Sequence, residues 1–190
     1  MMMEQRQIQS NFNVTDSRTV EGYAVVFESE SENIGWREII HRGAITEETI
    51  KNSDVFAKFN HDSNKILARS KYGNGSLLIE VDDNGVRYMF ESPKTALGDE
   101  LLEYLHRGDI TSSSFAFSID KNDSSAERWY KKDGVIYRDI YKIERLYDVS
   151  PVFSPAYEAT SCSARFEEVK ATSEEIDNKM NLLLDEFEAL

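Results

Sequence analysis

The sequence predicts a β-rich α+β fold, a closed or nearly closed β-barrel with peripheral helices. Three observations carry that expectation. Short runs rich in Val, Ile, Phe and Tyr recur along the chain, each bounded by polar or glycine-containing clusters. Two of these boundaries, Asn84-Gly85 and Asp133-Gly134, are dipeptides that turn hairpins. Helical spacing of apolar residues, by contrast, occurs in only two or three segments. Periodicity does not separate a barrel from a two-sheet sandwich; the barrel is the expectation carried forward.

Taken in order, residues 7–14 and 20–28 read as strands, and Gly22–Phe27 is apolar enough to lie centrally. A polar loop, Ser29–Gly35, leads to a short extended piece at Trp36–Ile40. Gly43–Asn52 reads as a helix, because Ile45, Thr49 and Ile50 align and Glu47 and Glu48 suit its first turn. Asp54–Phe59 is a strand that runs into the turn-forming cluster Asn60–Asn64. Ile66–Ser70 resumes extension. Gly75–Val81 and Val86–Glu91 form a hairpin about Asp82–Gly85, since Asn-Gly accepts positive φ at low steric cost. Pro93 opens a helix over 95–107, with Leu97, Leu101, Leu102 and Leu105 on one face and Gly108 as its C-terminal cap. A strand follows, then a loop at Lys121–Ala126. A second hairpin pairs Glu127–Lys131 with a long strand, Val135–Tyr147.

Residues 1–160 therefore read as one domain, 161–172 as a polar linker and 173–190 as a C-terminal amphipathic helix. Thr172–Glu175 has the pattern of a capping box. Ile176, Met180, Leu183, Phe187 and Leu190 follow at spacings that align them in one apolar seam. Such a seam packs on its own domain or on a partner.

Composition removes several function classes. The chain has 190 residues, 40% hydrophobic and 11% aromatic, which is enough for one globular core. Its formal net charge of −13 works against nucleic-acid binding, which needs a basic surface. The single cysteine, Cys162, allows no intrachain disulfide and suits a reducing compartment. Met1–Gln7 has no apolar run of the signal-peptide kind, and no stretch approaches the ~20 apolar residues that cross a bilayer. Three histidines and one cysteine are too few for a structural zinc site of the usual ligand count. The common phosphate-binding, zinc-protease and nucleophile-elbow motifs are missing. No cofactor is expected.

The segment Gly108–Ile119 carries the most chemistry. Read with period two, Phe115, Phe117 and Ile119 fall on one face, and Ser112, Ser114, Ala116 and Ser118 on the other. The phenyl face calls for a core. The hydroxyl face leaves room for another chain, although the pattern alone does not require one. A serine hydroxyl becomes a nucleophile only when a base takes its proton. His41 sits at a strand-to-helix corner, and His106 lies in a last helical turn where capping explains it. His61 stands at the end of an apolar strand between Asn60 and Asp62, where a solvated turn or a base are both reasonable readings. Asp148 is a candidate third group, or a cap before Ser150-Pro151. His61 with Asp62 is a thin case for a metal, and Cys162 with a histidine a thin case for a thiol enzyme.

Five segments together resemble the prohead, or capsid-maturation, serine proteases of tailed bacteriophages, which are related in fold to the herpesvirus assemblin proteases. They are Glu21–Phe27, Arg42–Ile45, Phe59–Asp62, Gly108–Phe117 and Tyr147–Tyr157, in this order over roughly Val20 to Thr160. The resemblance implies roles. The histidine of Asn-His-Asp, His61, is the general base. The serine before Phe-x-Phe, Ser114, is the nucleophile. The acidic residue before Val-Ser, Asp148, orients the imidazole; many relatives carry glutamate there, one methylene longer. Oxyanion donors are expected near Ser154–Ala156, with Arg165 as an alternative.

The resemblance further implies a serine endopeptidase that works inside the assembling prohead in the host bacterial cytoplasm. It would cut the scaffold, or the scaffolding segment of the major capsid protein, and also itself. It implies a homodimer by analogy with the herpesvirus enzymes, and gives the helix at 173–190 a docking role. No metal, nucleic acid or membrane enters this reading. A non-enzymatic capsid scaffold or assembly factor on the same fold is the alternative.

Overall fold

The computed structural model describes residues 3–10, 12–14 and 18–153. The expected linker at 161–172, the expected helix at 173–190, Cys162, Arg165 and the segment 154–156 lie outside them. In chain order the strands are β1 (Glu4–Gln9), β2 (Asn13–Val14), β3 (Thr19–Val26) and β4 (Arg37–Ile40). Helix α1 (Glu47–Lys51) precedes β5 (Asp54–Lys58), β6 (Ile66–Lys71), β7 (Asn74–Gly75), β8 (Leu77–Val81) and β9 (Gly85–Glu91). Helix α2 (Ala96–Arg107) is followed by β10 (Ser112–Ser118), β11 (Glu127–Lys132), β12 (Val135–Ile140) and β13 (Arg145–Val152).

These strands form three sheets, ordered β1-β10-β13-β5-β6-β7, β11-β12-β4 and β2-β3-β9-β8. The β-rich α+β character is as expected. Closure is not: no sheet closes into a barrel among the described residues. Strand pairing is antiparallel except where β13 meets β5 and β12 meets β4. The core between the layers is built from residues such as Val20, Val55, Leu77, Phe90, Leu101, Phe115, Phe117 and Leu146, each at most 2% exposed.

Helix α2 begins and ends as its sequence dictates. Thr95 Oγ1 accepts from the Gly98 N–H at 3.3 Å, and Gly108 takes the left-handed conformation with φ of 74°. Leu101, Leu102 and Leu105 are its buried face. Helix α1 is shorter than the expected 43–52. Thr46 caps it with Thr49 in a reciprocal box, and Gly43, at φ +86°, stays outside.

Three strand expectations are corrected by tertiary contacts. The segment expected at 7–14 divides into β1, which starts at Glu4, and β2. The expected strand 135–147 divides at 141–144, where Tyr141 and Lys142 bond to Ala126 O, Ile143 to Ala44 O and Glu144 to Ser118 O. Its halves consequently serve different sheets. The β8–β9 hairpin turns where expected but for another reason, since neither Asn84 nor Gly85 has positive φ. Asp82 Oδ1 accepts from the Asn84 and Gly85 N–H groups at 2.7 and 2.9 Å. Gly85 is required by proximity, because a Cβ there would sit 1.9 Å from Val25 O. Positive φ appears in the other hairpin, at Asp133 (51°) and Gly134 (78°).

Candidate active site

Strand β10 lies inside the six-stranded sheet, between β1 and β13, and all seven of its residues are buried. The period-two pattern holds. Phe115 and Phe117 stack at 5.4 Å between centroids, and the Ser113 hydroxyl shares a 2.9 Å hydrogen bond with the buried Tyr88 hydroxyl on that core side. Burial pushes the Tyr88 phenol well above its usual pKa, so it stays neutral. The opposite face is not the open surface that the sequence suggested. Ser112 is 2% exposed and Ser114 1%.

On that face Ser114 stands across from Ser150 of β13, and Ala116 across from Asp148. Asp148 therefore lies diagonal to Ser114, within reach of a group spanning both. His61 is that group. Its Nε2 is 2.5 Å from Ser114 Oγ, and its Nδ1 is 3.1 Å from Asp148 Oδ1. The carboxylate fixes the proton on Nδ1, which leaves Nε2 as an acceptor. The three residues singled out from the sequence thus converge, across 53 positions between Ser114 and His61 and 87 between His61 and Asp148.

The backbone delivers His61 at a price in strain. Asn60 (φ 50°) and His61 (φ 62°) both occupy the left-handed region, an uncommon choice for histidine. The loop is over-determined by its surroundings. The Asn60 N–H bonds to Pro151 O of β13 at 3.1 Å, and the Asp62 and Lys65 N–H groups close successive turns onto Phe59 and Asp62 carbonyls. Beneath it, Phe59, Tyr104 of α2 and Phe153 pack with centroid separations of 4.9 to 6.1 Å. Asp62 turns away from chemistry: its Oδ1 accepts from the Asn64 N–H at 2.8 Å, an Asx turn.

Asp148, 1% exposed, has two supporting groups that the sequence reading missed. The Ser150 hydroxyl donates to Oδ1, while Ser150 Oγ accepts from the Lys58 N–H at 3.1 Å. The Lys58 ammonium stands 3.0 Å from Oδ2. Ser150 was legible in principle, because it lies two residues from Asp148 on one strand face. Lys58 was not, because only the parallel β13–β5 pairing brings it there. The other histidines lie elsewhere. His41 contacts Glu28 at 2.9 Å and stacks on Tyr141, and His106 ends α2.

One feature of the nucleophile candidate was invisible in sequence. Ser114 Oγ also lies 2.8 Å from the carbonyl oxygen of Arg6, in β1. Strand β1 is anchored there by a buried charge cluster. Arg6 Nε and one terminal nitrogen meet the Glu38 carboxylate at 2.7 and 2.9 Å, and Arg138 bonds Glu4, Glu38 and Glu127. Burial opposes the Arg6 charge, yet Glu38 and Glu4 outweigh it and raise the guanidinium pKa further.

A serine hydroxyl, an imidazole and a buried carboxylate in hydrogen-bonded series have the chemistry for acyl transfer. Comparison with known proteins points the same way. A family model described as caudovirus prohead serine protease matches residues 4–175. The fold is similar to that of the capsid assembly protease gp21 of bacteriophage T4. That likeness has a TM-score of 0.50 and covers 80% of this chain and 98% of that one, at 12% identity. No curated protein matches. The matched span takes in nearly the whole chain, and with it every element that positions Ser114, His61 and Asp148: this protein belongs to the caudovirus prohead serine protease family, serine proteases of capsid maturation.

Proposed function

We propose that this protein is an endopeptidase in which Ser114 is the nucleophile, His61 the general base and Asp148 the group that orients His61. The observation that carries this reading is the 2.5 Å and 3.1 Å pair of contacts at the two nitrogens of His61. In the reaction, Ser114 Oγ attacks the scissile carbonyl as His61 Nε2 takes its proton. Asp148 stabilises the imidazolium that forms. His61 then protonates the leaving amine, and water, deprotonated by the same nitrogen, hydrolyses the acyl-enzyme. Two donors to the Asp148 carboxylate, Ser150 and His61, leave it little freedom to rotate.

The substrates in this proposal are the scaffold or the scaffolding segment of the major capsid protein, and the protease itself, inside the assembling prohead. The helix expected at 173–190 docks the enzyme there, and a homodimer is the proposed working form. No described helix is long and apolar enough to cross a membrane. The test is incubation of the purified protein with its own capsid precursor, with Ser114→Ala alongside, read by mass spectrometry. Discrete precursor fragments with the unaltered protein and none with the variant are expected. Identical fragments from both would end the assignment.

A further inference from the structure

An acyl transfer needs a carbonyl carbon about 3–3.5 Å from the attacking oxygen. Ser114 is 1% exposed, and among the described residues its hydroxyl is shared between His61 and the Arg6 carbonyl. A substrate therefore reaches it only if a neighbour gives way. Strands β13 and β5 are interior, paired on both sides, and they carry Asp148 and lead into His61. Strand β1 is different. Among the described strands it is an edge, paired with β10 alone, from Glu4 opposite Phe117 to Gln9 opposite Ser112. Among the described residues, displacing it breaks one strand ladder, that with β10.

What β1 presents to β10 has the form of a bound substrate. It is extended and antiparallel, it places Gln7 opposite Ser114, and it rests a main-chain carbonyl on the nucleophilic oxygen. The contact also misdirects the proton. Ser114 has one hydroxyl hydrogen and two acceptors within reach, and each time it is given to Arg6 O it is not available to His61. The anchors of β1 are separable from the fold. Without Glu4 and Arg6, Arg138 still holds Glu38 and Glu127, so departure leaves no buried guanidinium unpaired.

We propose that β1 is a built-in cover of the nucleophile: it occupies along β10 the position that an extended substrate polypeptide takes, and the enzyme acts when β1 gives way. The inference rests on Ser114 being the nucleophile. The probe is a fluorophosphonate, which phosphonylates activated serines with loss of fluoride and without needing a specific peptide, with the adduct mapped to Ser114 by mass spectrometry. Arg6→Ala removes the side-chain anchor to Glu38 and keeps the chain length. It is expected to be labelled at least fivefold faster than the unaltered protein. The second variant pins the strand: Gln9→Cys with Ser112→Cys, in a Cys162→Ser background, joins facing residues of β1 and β10. Its oxidised form is expected to label at least tenfold more slowly than its own reduced form. Unchanged labelling in Arg6→Ala, or equal rates for the oxidised and reduced pin, overturns the cover and leaves the nucleophile intact. Absence of any Ser114 adduct in Arg6→Ala, as well as in the reduced pin and the unaltered protein, instead removes the nucleophile assignment on which the cover depends.

Discussion

Asp148→Asn removes a charge and almost no volume, so it isolates what the carboxylate does for His61. In the proposed mechanism His61 must start neutral to accept the Ser114 proton, and at that stage the carboxylate acts mainly as an acceptor for Nδ1–H. Once His61 has taken the Ser114 proton, a full positive charge stands 3.1 Å from Asp148 Oδ1. At an effective dielectric of about 20, that attraction is about 5 kcal/mol. Water reaches the imidazole, whose side chain is 20% exposed, and screens part of it. About 4 kcal/mol of transition-state stabilisation remains, which corresponds to about a 1,000-fold loss of kcat. The Asn amide adds to the loss by favouring the wrong tautomer if its N–H turns toward Nδ1. The Asp148 carboxylate, buried behind His61, is out of a substrate's reach, so KM should hold within about threefold. Initial rates of precursor cleavage against precursor concentration give both constants. A fall in kcat of less than about tenfold, or a loss carried by KM, would refute the electrostatic role.

Three substitutions test the surroundings. Ser113→Ala orphans the buried Tyr88 hydroxyl and should lower unfolding stability by about 1–3 kcal/mol in a urea titration, with precursor cleavage unchanged. Gly98→Ala gains about 1 kcal/mol of helix propensity, but its Cβ would lie 1.9 Å from Pro93 O, so thermal unfolding should move down rather than up. Arg138→Met leaves Glu4 and Glu38 sharing Arg6 as their cation, and should destabilise the fold by about 3–5 kcal/mol at neutral pH, read by chemical denaturation.

What the sequence disclosed was chiefly local. The α2 boundaries follow from Thr95 and Gly108, and the two-sidedness of β10 follows from alternation of phenylalanine and serine. Asp133-Gly134 was legible because both residues adopt the φ that their chemistry favours. Long-range facts were not. No residue in 135–147 announces that the run breaks at 141–144, because the break is made by carbonyls of Ala44, Ser118 and Ala126. Nothing near Ser114 announces that its hydroxyl meets a main-chain carbonyl, since Arg6 of β1 lies more than a hundred residues earlier in the chain. Whether strands close into a barrel was not legible for the same reason: alternation sets which side chains face inward, and strand order is set by pairings such as β1 with β10 that no window contains. His61 stood out by composition, whereas the paired left-handed residues that aim it were not foreseen.

The most direct measurement is the position of a diisopropyl fluorophosphate adduct, mapped by tandem mass spectrometry in the unaltered protein and in His61→Ala. The account predicts one modified serine, Ser114, and loss of the adduct when the imidazole is removed. Modification of Ser112 or Ser113 instead, or labelling of Ser114 that persists without His61, would contradict it.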